Sequence, residues 1–161
     1  MAVEVALTLV GEQQGPLNGS LTRPGREGAI RVTGADHLVR SILDVVTGQP
    51  VAKRAHGALT VTKEVDASTP QLHRAWSHNE SFTAWRLDFH AVDSTGQDVS
   101  YYVIELSGAR VSRIQLVMPN TLVAANVGVA VHETVSFVYD TIEWSWLPGR
   151  ITAEDAWAVE Q

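Results

Sequence analysis

The densest group of chemically active side chains in the sequence is Lys63, Glu64 and Asp66, in the stretch GALTVTKEVDASTPQLHRAW at 57–76. Glu64 and Asp66 are two positions apart, so in a strand they would form a pair of carboxylates on one face. General acid–base catalysis needs such a pair in a cleft, with separated pKa values. Alternatively, the charges end a strand and place Asp66 near a helix N-terminus, where the helix dipole favours negative charge. Because charged side chains are usually only solvated, we favour this architectural interpretation.

Other residues that could carry chemistry are scattered. The six histidines contain no pair two, three or four residues apart, the spacings of common metal sites; they are His37, His56, His73, His78, His90 and His132. The sequence has no cysteine and no G-x-S-x-G, Walker A or G-x-G-x-x-G motif. We therefore predict no catalytic residue, no metal site and no cofactor.

Composition indicates an ordinary globular protein. The 161 residues are 45% hydrophobic and 19% charged, with a net charge of −6, and we expect a single domain over 1–161. The acidic balance argues against a nucleic-acid partner, which would require a basic face. The N-terminal MAVEVALTLVGEQQG lacks the basic segment and long apolar core of a leader or membrane span. We expect synthesis in the cytoplasm, no membrane insertion by the protein itself, and no cleaved signal peptide.

Period-two alternation predicts a mainly β fold. Apolar residues alternate at 3–9, at 85–89, and at Leu59, Val61 and Val65, and turn signals recur at short intervals. We count about eight strands. This pattern is typical of a β-sandwich or barrel, and the segment 41–56 fits neither a strand nor a helix well because Gly48 and Pro50 interrupt it. We interpret it as an extended loop or hairpin.

One short helix is predicted over about 69–79. Leu72, Ala75 and Trp76 form a narrow apolar stripe at helical spacing. Ser68 with Gln71 would form a capping box, but Pro70 disfavours helical geometry at Thr69. We therefore favour Thr69 as N-cap with Pro70 in the first helical position.

Several strands are apolar on both faces. In the strand near 101–106, Tyr101 and Val103 lie opposite Tyr102 and Ile104. In HETVSFVYDTIEWSW at 132–146 the aromatic positions change face. Either a bulge near Asp140 shifts the register, or the helix or another copy of the chain covers the second face.

The order of sequence motifs resembles a known family. The motifs are GEQQGPLNG at 11–19, DVVTG at 44–48, KRAH at 53–56, TVTKEVDASTPQL at 60–72, YYVIELSGARVSRIQLVMPN at 101–120, ETVSFVYDTIEWSW at 133–146 and EDAW at 154–157. Together they resemble the hemolysin-coregulated protein (Hcp) family, the tube subunits of the bacterial type VI secretion system.

The resemblance implies a compact β-barrel of two antiparallel sheets with one flanking helix, assembled as a six-membered ring. Such rings stack into a hollow tube inside a contractile sheath, tipped by the spike protein VgrG. Effector proteins are carried in the lumen, and the tube assembles in the cytoplasm before it is secreted. This role is structural and not enzymatic.

Residue candidates follow from this resemblance. The segment 41–56 would reach a neighbouring subunit or the next ring through Asp44, Val45, Val46, Thr47, Gly48, Arg54 and His56. Subunit-interface candidates are Tyr101, Trp144, Glu64 and Asp66. Because a bore that passes cargo favours small polar side chains, lumen candidates are Thr8, Thr33 and Thr60.

Two alternatives stay open from the sequence. A tail-tube subunit of a phage or of an extracellular contractile injection device would share the fold and the ring. A small-ligand-binding barrel, or a hydrolase that uses Glu64, Asp66 or His56 in a cleft, would instead be a monomer with a deep pocket.

Overall fold

The computed structural model describes residues 3–158. These residues form thirteen strands, one α-helix and a 3₁₀ turn. The strands are β1 (Val3–Gly11), β2 (Gly15–Pro16), β3 (Ile30–Val32), β4 (Gly34–Asp36), β5 (Val39–Leu43), β6 (Pro50–His56), β7 (Leu59–Glu64), β8 (Phe82–Val92), β9 (Asp98–Ser107), β10 (Arg110–Val117), β11 (His132–Val138), β12 (Thr141–Trp146) and β13 (Ile151–Ala156). The helix α1 is Ser68–Ser77, and the 3₁₀ turn is Ala124–Asn126. No helix within 3–158 has the length and apolar character to cross a membrane.

The strands pair antiparallel into two sheets and a separate hairpin. The large sheet has the order β13-β12-β9-β8-β1-β2, with β3 also paired to β1. The small sheet has the order β10-β11-β7-β4, and β5 pairs with β6. These pairings confirm a mainly β fold with antiparallel sheets and one helix. Closure of the sheets into a barrel stays a prediction.

The core lies between the two sheets. Leu7 and Leu87 are buried on the inner face of the large sheet, and Val61 is buried on the inner face of the small sheet. The Trp85 ring of β8 contacts the Phe137 ring of β11 at a centroid distance of 5.4 Å, edge to face. One side chain from each sheet thus meets across the core, a geometry that aromatic pairs prefer.

The aromatic residues change face near Asp140 because the chain passes from one sheet to the other at this point. β11 belongs to the small sheet and β12 to the large sheet. Phe137, Tyr139 and Ile142 all point into the shared core and are buried. Cover of a second apolar face of this segment by another copy of the chain, one of the alternatives open from the sequence, stays a prediction. The chain crosses from one sheet to the other, so Phe137 and Ile142 both face the core, whereas Trp146 is 45% exposed.

A β-bulge explains the second apolar position in β9. The register between β8 and β9 shifts where Phe89 pairs with Tyr102 and His90 pairs with Ser100, which leaves Tyr101 as the extra residue. The Tyr101 ring lies 5.9 Å from the Trp146 ring and 6.5 Å from the Phe89 ring, measured between centroids. Val103 is 1% exposed. Both residues are thus largely packed within one chain.

The helix begins two residues earlier than predicted. Ser68, not Pro70, is its first residue, and Ala67 occupies the N-cap position without a side-chain cap. Asp66 instead accepts the backbone N–H of Ser68 at 2.8 Å. Leu72 and Ala75 are fully buried as predicted, but Trp76 is 54% exposed. The buried stripe is therefore narrower than the predicted one.

The segment 41–56 is an ordered hairpin and not a loop. We define the hairpin 39–56 as β5, β6 and the turn at 44–49 between them. Every side chain of β5 is exposed. Of the two interpretations open from the sequence, the extended hairpin is correct. Its two strands pair with each other and form a two-stranded sheet of their own.

Candidate assembly site

The turn of the hairpin 39–56 is built by Asp44. Its Oδ1 accepts the backbone N–H groups of Val46 at 2.9 Å and Thr47 at 2.8 Å. These hydrogen bonds, the one from Thr47 foremost, lower the pKa of the Asp44 carboxyl below its usual value. Gly48 adopts a φ of 68°, a left-handed conformation that glycine allows without strain. The DVVTG motif therefore has a local structural cause.

The tip of this hairpin is apolar and solvent-exposed. Val45 is 99% exposed and Val46 is 92% exposed. Leu43, before the turn, is 57% exposed. A turn rarely presents consecutive apolar side chains to water without a partner, and contiguous exposed apolar surface marks interaction sites. The tip is therefore a candidate assembly surface.

Polar side chains attach the base of the hairpin to the large sheet. Arg54 Nε and Nη2 donate to the two carboxylate oxygens of Asp155 on β13, each at 2.8 Å. His56 Nε2 lies 2.8 Å from Asp155 Oδ2, and His56 Nδ1 lies 2.8 Å from Tyr139 Oη. His37 Nε2 contacts the same phenol oxygen at 2.8 Å. The predicted contact residues Arg54 and His56 are thus engaged within their own chain.

The charges at this base shift two pKa values strongly. The hydrogen bonds from Arg54 and then His56 lower the pKa of Asp155 to about 2, despite an opposing effect of burial. Burial, with a smaller effect of the Asp155 charge, raises the pKa of Tyr139 to about 12. At neutral pH Asp155 is therefore ionised and Tyr139 keeps its proton.

The Lys63, Glu64 and Asp66 group is a structural joint, as predicted, but its chemistry differs from the prediction. Lys63 is fully buried, with its Nζ 2.6 Å from Glu133 Oε1 and 3.1 Å from Asp66 Oδ1. Thr69 Oγ1 donates to the same Glu133 oxygen at 2.8 Å. The expectation that these charges are only solvated was wrong for Lys63, because Lys63 shares the buried face of β7 with Leu59 and Val61. Val65 was expected on that face but is 45% exposed.

Glu133 is a partner that sequence reasoning missed. Its position alternates with the buried Val135 and Phe137, so its carboxylate had to face the core. Lys63 stands in the same relation to Leu59 and Val61. Each of the two strands carries a charged residue at a core-facing position. This pattern could have indicated that the two charges pair.

Glu80 explains the GEQQG motif, which sequence reasoning left as a turn. Its Oε1 accepts the backbone N–H groups of Gln13 at 2.6 Å and Gln14 at 2.8 Å, and its Oε2 accepts from Gln14 Nε2 at 2.7 Å. A Cβ at Gly11 would lie 2.6 Å from Glu80 Oε1. Glycine is therefore required where the first turn closes on this carboxylate.

The remaining predicted interface residues lie in different places. Glu64 is exposed at the end of β7, and Asp66 accepts a hydrogen bond at the start of α1. Trp144 is half-buried, with its ring 6.4 Å from the His37 ring beside the hairpin base. The ring of Tyr101 packs against the ring of Trp146. They do not form one surface.

The predicted lumen residues lie on two sheets. Thr8 is exposed on the outer face of the large sheet, next to Arg86 on the neighbouring strand. Thr60 is on the outer face of the small sheet, where its Oγ1 lies 2.7 Å from Ser136 Oγ. Thr33 is exposed and connects β3 to β4. A single bore-facing surface would not include both Thr8 and Thr60.

A second exposed apolar segment was also missed. It starts in the last turn-side residues of β10 and continues beyond that strand; its members are Leu116, Met118, Leu122, Val123, Val127, Val129 and Val131, each at least 39% exposed. Leu122 is 94% exposed and Val127 is 81% exposed. The run of apolar residues after Pro119 could have indicated this surface, but the pair Pro119-Asn120 favoured a simple turn there.

No group of three or more His, Asp or Glu side chains that could hold a metal ion occurs within residues 3–158. The nearest approach to a catalytic arrangement is the His56–Asp155 contact. Its imidazole is 1% exposed, and Arg54 occupies the carboxylate of Asp155 on the other side. His56 and Asp155 line a small open cavity with Val39, Ser41 and Trp144, but Arg54 and Tyr139 occupy their remaining polar atoms.

Residues 7–146 match the family model described as "Type VI secretion system effector, Hcp". Among characterised proteins, the "Major exported protein" of Pseudomonas aeruginosa is 26% identical over 98% of this chain and 96% of its own length.

Solved structures show the same fold. A crystal structure of an Hcp protein superposes with a TM-score of 0.90 at 21% identity, over 99% of this chain and 100% of the other. A mutant of the Hcp1 protein from the E. coli EAEC 042 pathovar superposes with a TM-score of 0.87 at 27% identity, over 98% and 100% of the two chains. The secreted protein Hcp3 from Pseudomonas aeruginosa gives 0.77 at 21% identity, over 98% and 100%.

Proposed function

Because the chain belongs to the Hcp family of the type VI secretion system, we propose that it is a subunit of the inner tube. It forms six-membered rings that stack into a hollow, expelled tube. The observation that carries this proposal is the ordered hairpin 39–56 with its exposed apolar tip. Val45 and Val46 have no partner within the described part of their own chain, so a second copy is the natural partner.

A closed ring requires two different complementary surfaces on each subunit. The exposed apolar segment 116–131 supplies one of them, whereas the hairpin tip supplies the contact to the next ring. Tyr101, Trp144, Glu64 and Asp66 stay proposed contacts around these surfaces. Since Tyr101 and Trp144 are partly packed within the chain, they contribute less apolar area than the sequence suggested.

The bore is lined by the outer face of the small sheet. This face carries small hydroxyl side chains, Thr60, Thr62, Thr134 and Ser136, in paired positions on β7 and β11. The outer face of the large sheet instead carries ion pairs of Arg86 with Asp88 and Glu105. Small hydroxyls do not hold cargo by apolar burial or fixed charge, so Thr60 is favoured over Thr8 as a lumen residue.

The role is structural and not enzymatic. The carboxylate of Asp66 is committed to Lys63 and Ser68, and Glu64 lies apart from it on an exposed strand end. His56 lines a small cavity, but Asp155 and Tyr139 engage both of its ring nitrogens, which disfavours the hydrolase alternative.

The partners of the tube follow from the family. They are further copies of the chain, the spike protein VgrG, the contractile sheath, and effector proteins carried in the lumen. The chain acts as one tube domain, which assembles in the cytoplasm and is then exported.

Native mass spectrometry together with negative-stain microscopy tests the proposal. We expect a particle of six chains with sixfold symmetry and a central hole. A protein that stays monomeric at every concentration would exclude the ring. A ring of another order would keep the tube but exclude the hexamer.

A further inference from the structure

The base of the hairpin contains a continuous line of hydrogen-bonding groups from two strands and two connections. His37, Tyr139, His56 and Asp155 are joined by three contacts of 2.8 Å each, and we call this line the relay. The His56 side chain is 1% exposed and Tyr139 is 4% exposed. Because the side chains of His56 and Tyr139 are buried, each of their hydrogen atoms must be matched to an acceptor.

The proton arrangement at neutral pH follows from Asp155. An ionised carboxylate only accepts, so His56 Nε2 carries a hydrogen and donates to Asp155. In neutral His56, Nδ1 is then an acceptor and receives the hydrogen of Tyr139. The Tyr139 oxygen in turn accepts from His37 Nε2. Every donor in the relay has an acceptor in this state.

One added proton can be accommodated. If His56 is charged, its Nδ1 donates to the Tyr139 oxygen, and the hydrogen of Tyr139 turns to Nε2 of a neutral His37. If His37 is also charged, both imidazoliums donate to the same phenol oxygen, and the hydrogen of Tyr139 has no acceptor in the relay. Two positive charges then flank one buried group, and the link between His37 and Tyr139 becomes unfavourable.

We propose that the relay is a proton-operated latch that fixes the base of the hairpin 39–56 to the protein body at neutral pH and releases the His37 side when both histidines are protonated.

The surrounding charges are consistent with this direction. Burial, and then the charge of His56, lower the pKa of His37, while the Gly57 backbone and Asp36 act in the opposite sense. A histidine whose folded pKa is depressed stabilises the fold fully above its ordinary value of about 6.5 and loses that contribution as pH falls below it. The groups that face His56 are Arg54, Asp155, Tyr139 and the stacked ring of Trp157.

The latch releases only one side. Because the pKa of Asp155 is about 2, this carboxylate stays ionised and paired with Arg54 at about pH 5. The hairpin then stays tethered through Arg54 but loses its fixed direction. This is a property of one chain, so its failure would leave the tube assignment untouched.

The natural sequence has no cysteine, which allows a direct test with spin labels. Labels on Val46→Cys at the hairpin tip and Ser94→Cys in an exposed turn of the body would report their distance distribution. Labelled chains are diluted into unlabelled ones so that only distances within a chain are measured. We expect one narrow peak at about pH 7.5 and loss of that peak to a broad distribution at about pH 5.

Three variants in the labelled protein separate the latch from a general effect of acid. Tyr139→Phe keeps the ring but removes the bridging hydroxyl, so its distribution should be broad at both pH values. His37→Gln removes one of the two protonation sites, so its peak should stay narrow at about pH 5. The control His73→Gln, on an exposed face of α1, should behave as the parent. A narrow parent peak in acid, or a His37→Gln peak that broadens as the parent does, would overturn the latch even if Tyr139→Phe failed to fold.

Discussion

Lys63 Nζ lies 2.6 Å from Glu133 Oε1, and neither side chain is accessible to solvent. The two residues are direct cross-strand neighbours on β7 and β11. Asp66 and Thr69 contact the same ammonium at 3.1 and 3.2 Å. One buried charge therefore joins the end of β7, the start of α1 and the centre of the small sheet.

Loss of the Glu133 charge should destabilise the protein strongly. Removing one partner of a buried ion pair costs about 3–5 kcal/mol, because the other charge stays buried. Glu133→Gln should fall towards the lower end of that range since Lys63 keeps Asp66. The free energy of unfolding in urea measures the effect.

The double variant Lys63→Met with Glu133→Leu is the matched comparison. It removes both charges at similar volume, so its loss of stability should be clearly smaller than the sum of the two single losses. If the losses simply add, Lys63 and Glu133 do not act as a pair.

Gly108 should not tolerate a side chain. Its φ is 65°, and an added Cβ would lie 2.0 Å from Asp140 Oδ2, at the connection where the chain changes sheets. Gly96 has a similar φ of 82° but open space around it. Gly96→Ala should therefore cost about 1–2 kcal/mol for the left-handed backbone alone. Gly108→Ala should cost about 1–3 kcal/mol more for the overlap. Equal losses in thermal or urea unfolding would contradict the close approach.

Charge at the hairpin tip should block stacking without unfolding the chain. Val45→Asp with Val46→Asp changes two fully solvated side chains, so the unfolding free energy should move by no more than about 0.5 kcal/mol. Rings should persist, whereas stacked particles in negative-stain images should disappear. Ser94→Asp places a charge in a comparable exposed turn and should leave stacking intact. Stacks of normal length in the tip variant would remove the hairpin from the proposed contact.

The Glu80 carboxylate should contribute stability that acid removes. Burial raises the pKa of Glu80, but the hydrogen bonds from Gln14 and Gln13 lower it by more, so the net shift is downward. A depressed carboxyl pKa gives stability above the ordinary value of about 4.3 that is lost as pH falls below it. Unfolding free energies at about pH 6 and about pH 3.5 should therefore differ less in Glu80→Gln than in the parent. The exposed Glu12→Gln should retain the parental difference, and a parental difference in Glu80→Gln would exclude this role.

Three features could be predicted from the sequence alone: most of the residues that alternate into the core, the position of α1, and the family of the chain. Leu7, Leu87 and Phe137 could be assigned inward because a period of two fixes the face of a strand locally. The motifs that contain Asp44 and Glu133 are also short local patterns, and they indicated the family.

The sheet to which each strand belongs and the contacts between polar groups could be seen only in the three-dimensional structure. Alternation states that a residue faces inward, but not which strand it faces, so the crossing at Asp140 looked like a second apolar face. Glu133 lies 70 positions from Lys63, and Tyr139 lies 102 positions from His37. Such contacts depend on long-range strand pairing, which no short window of sequence encodes.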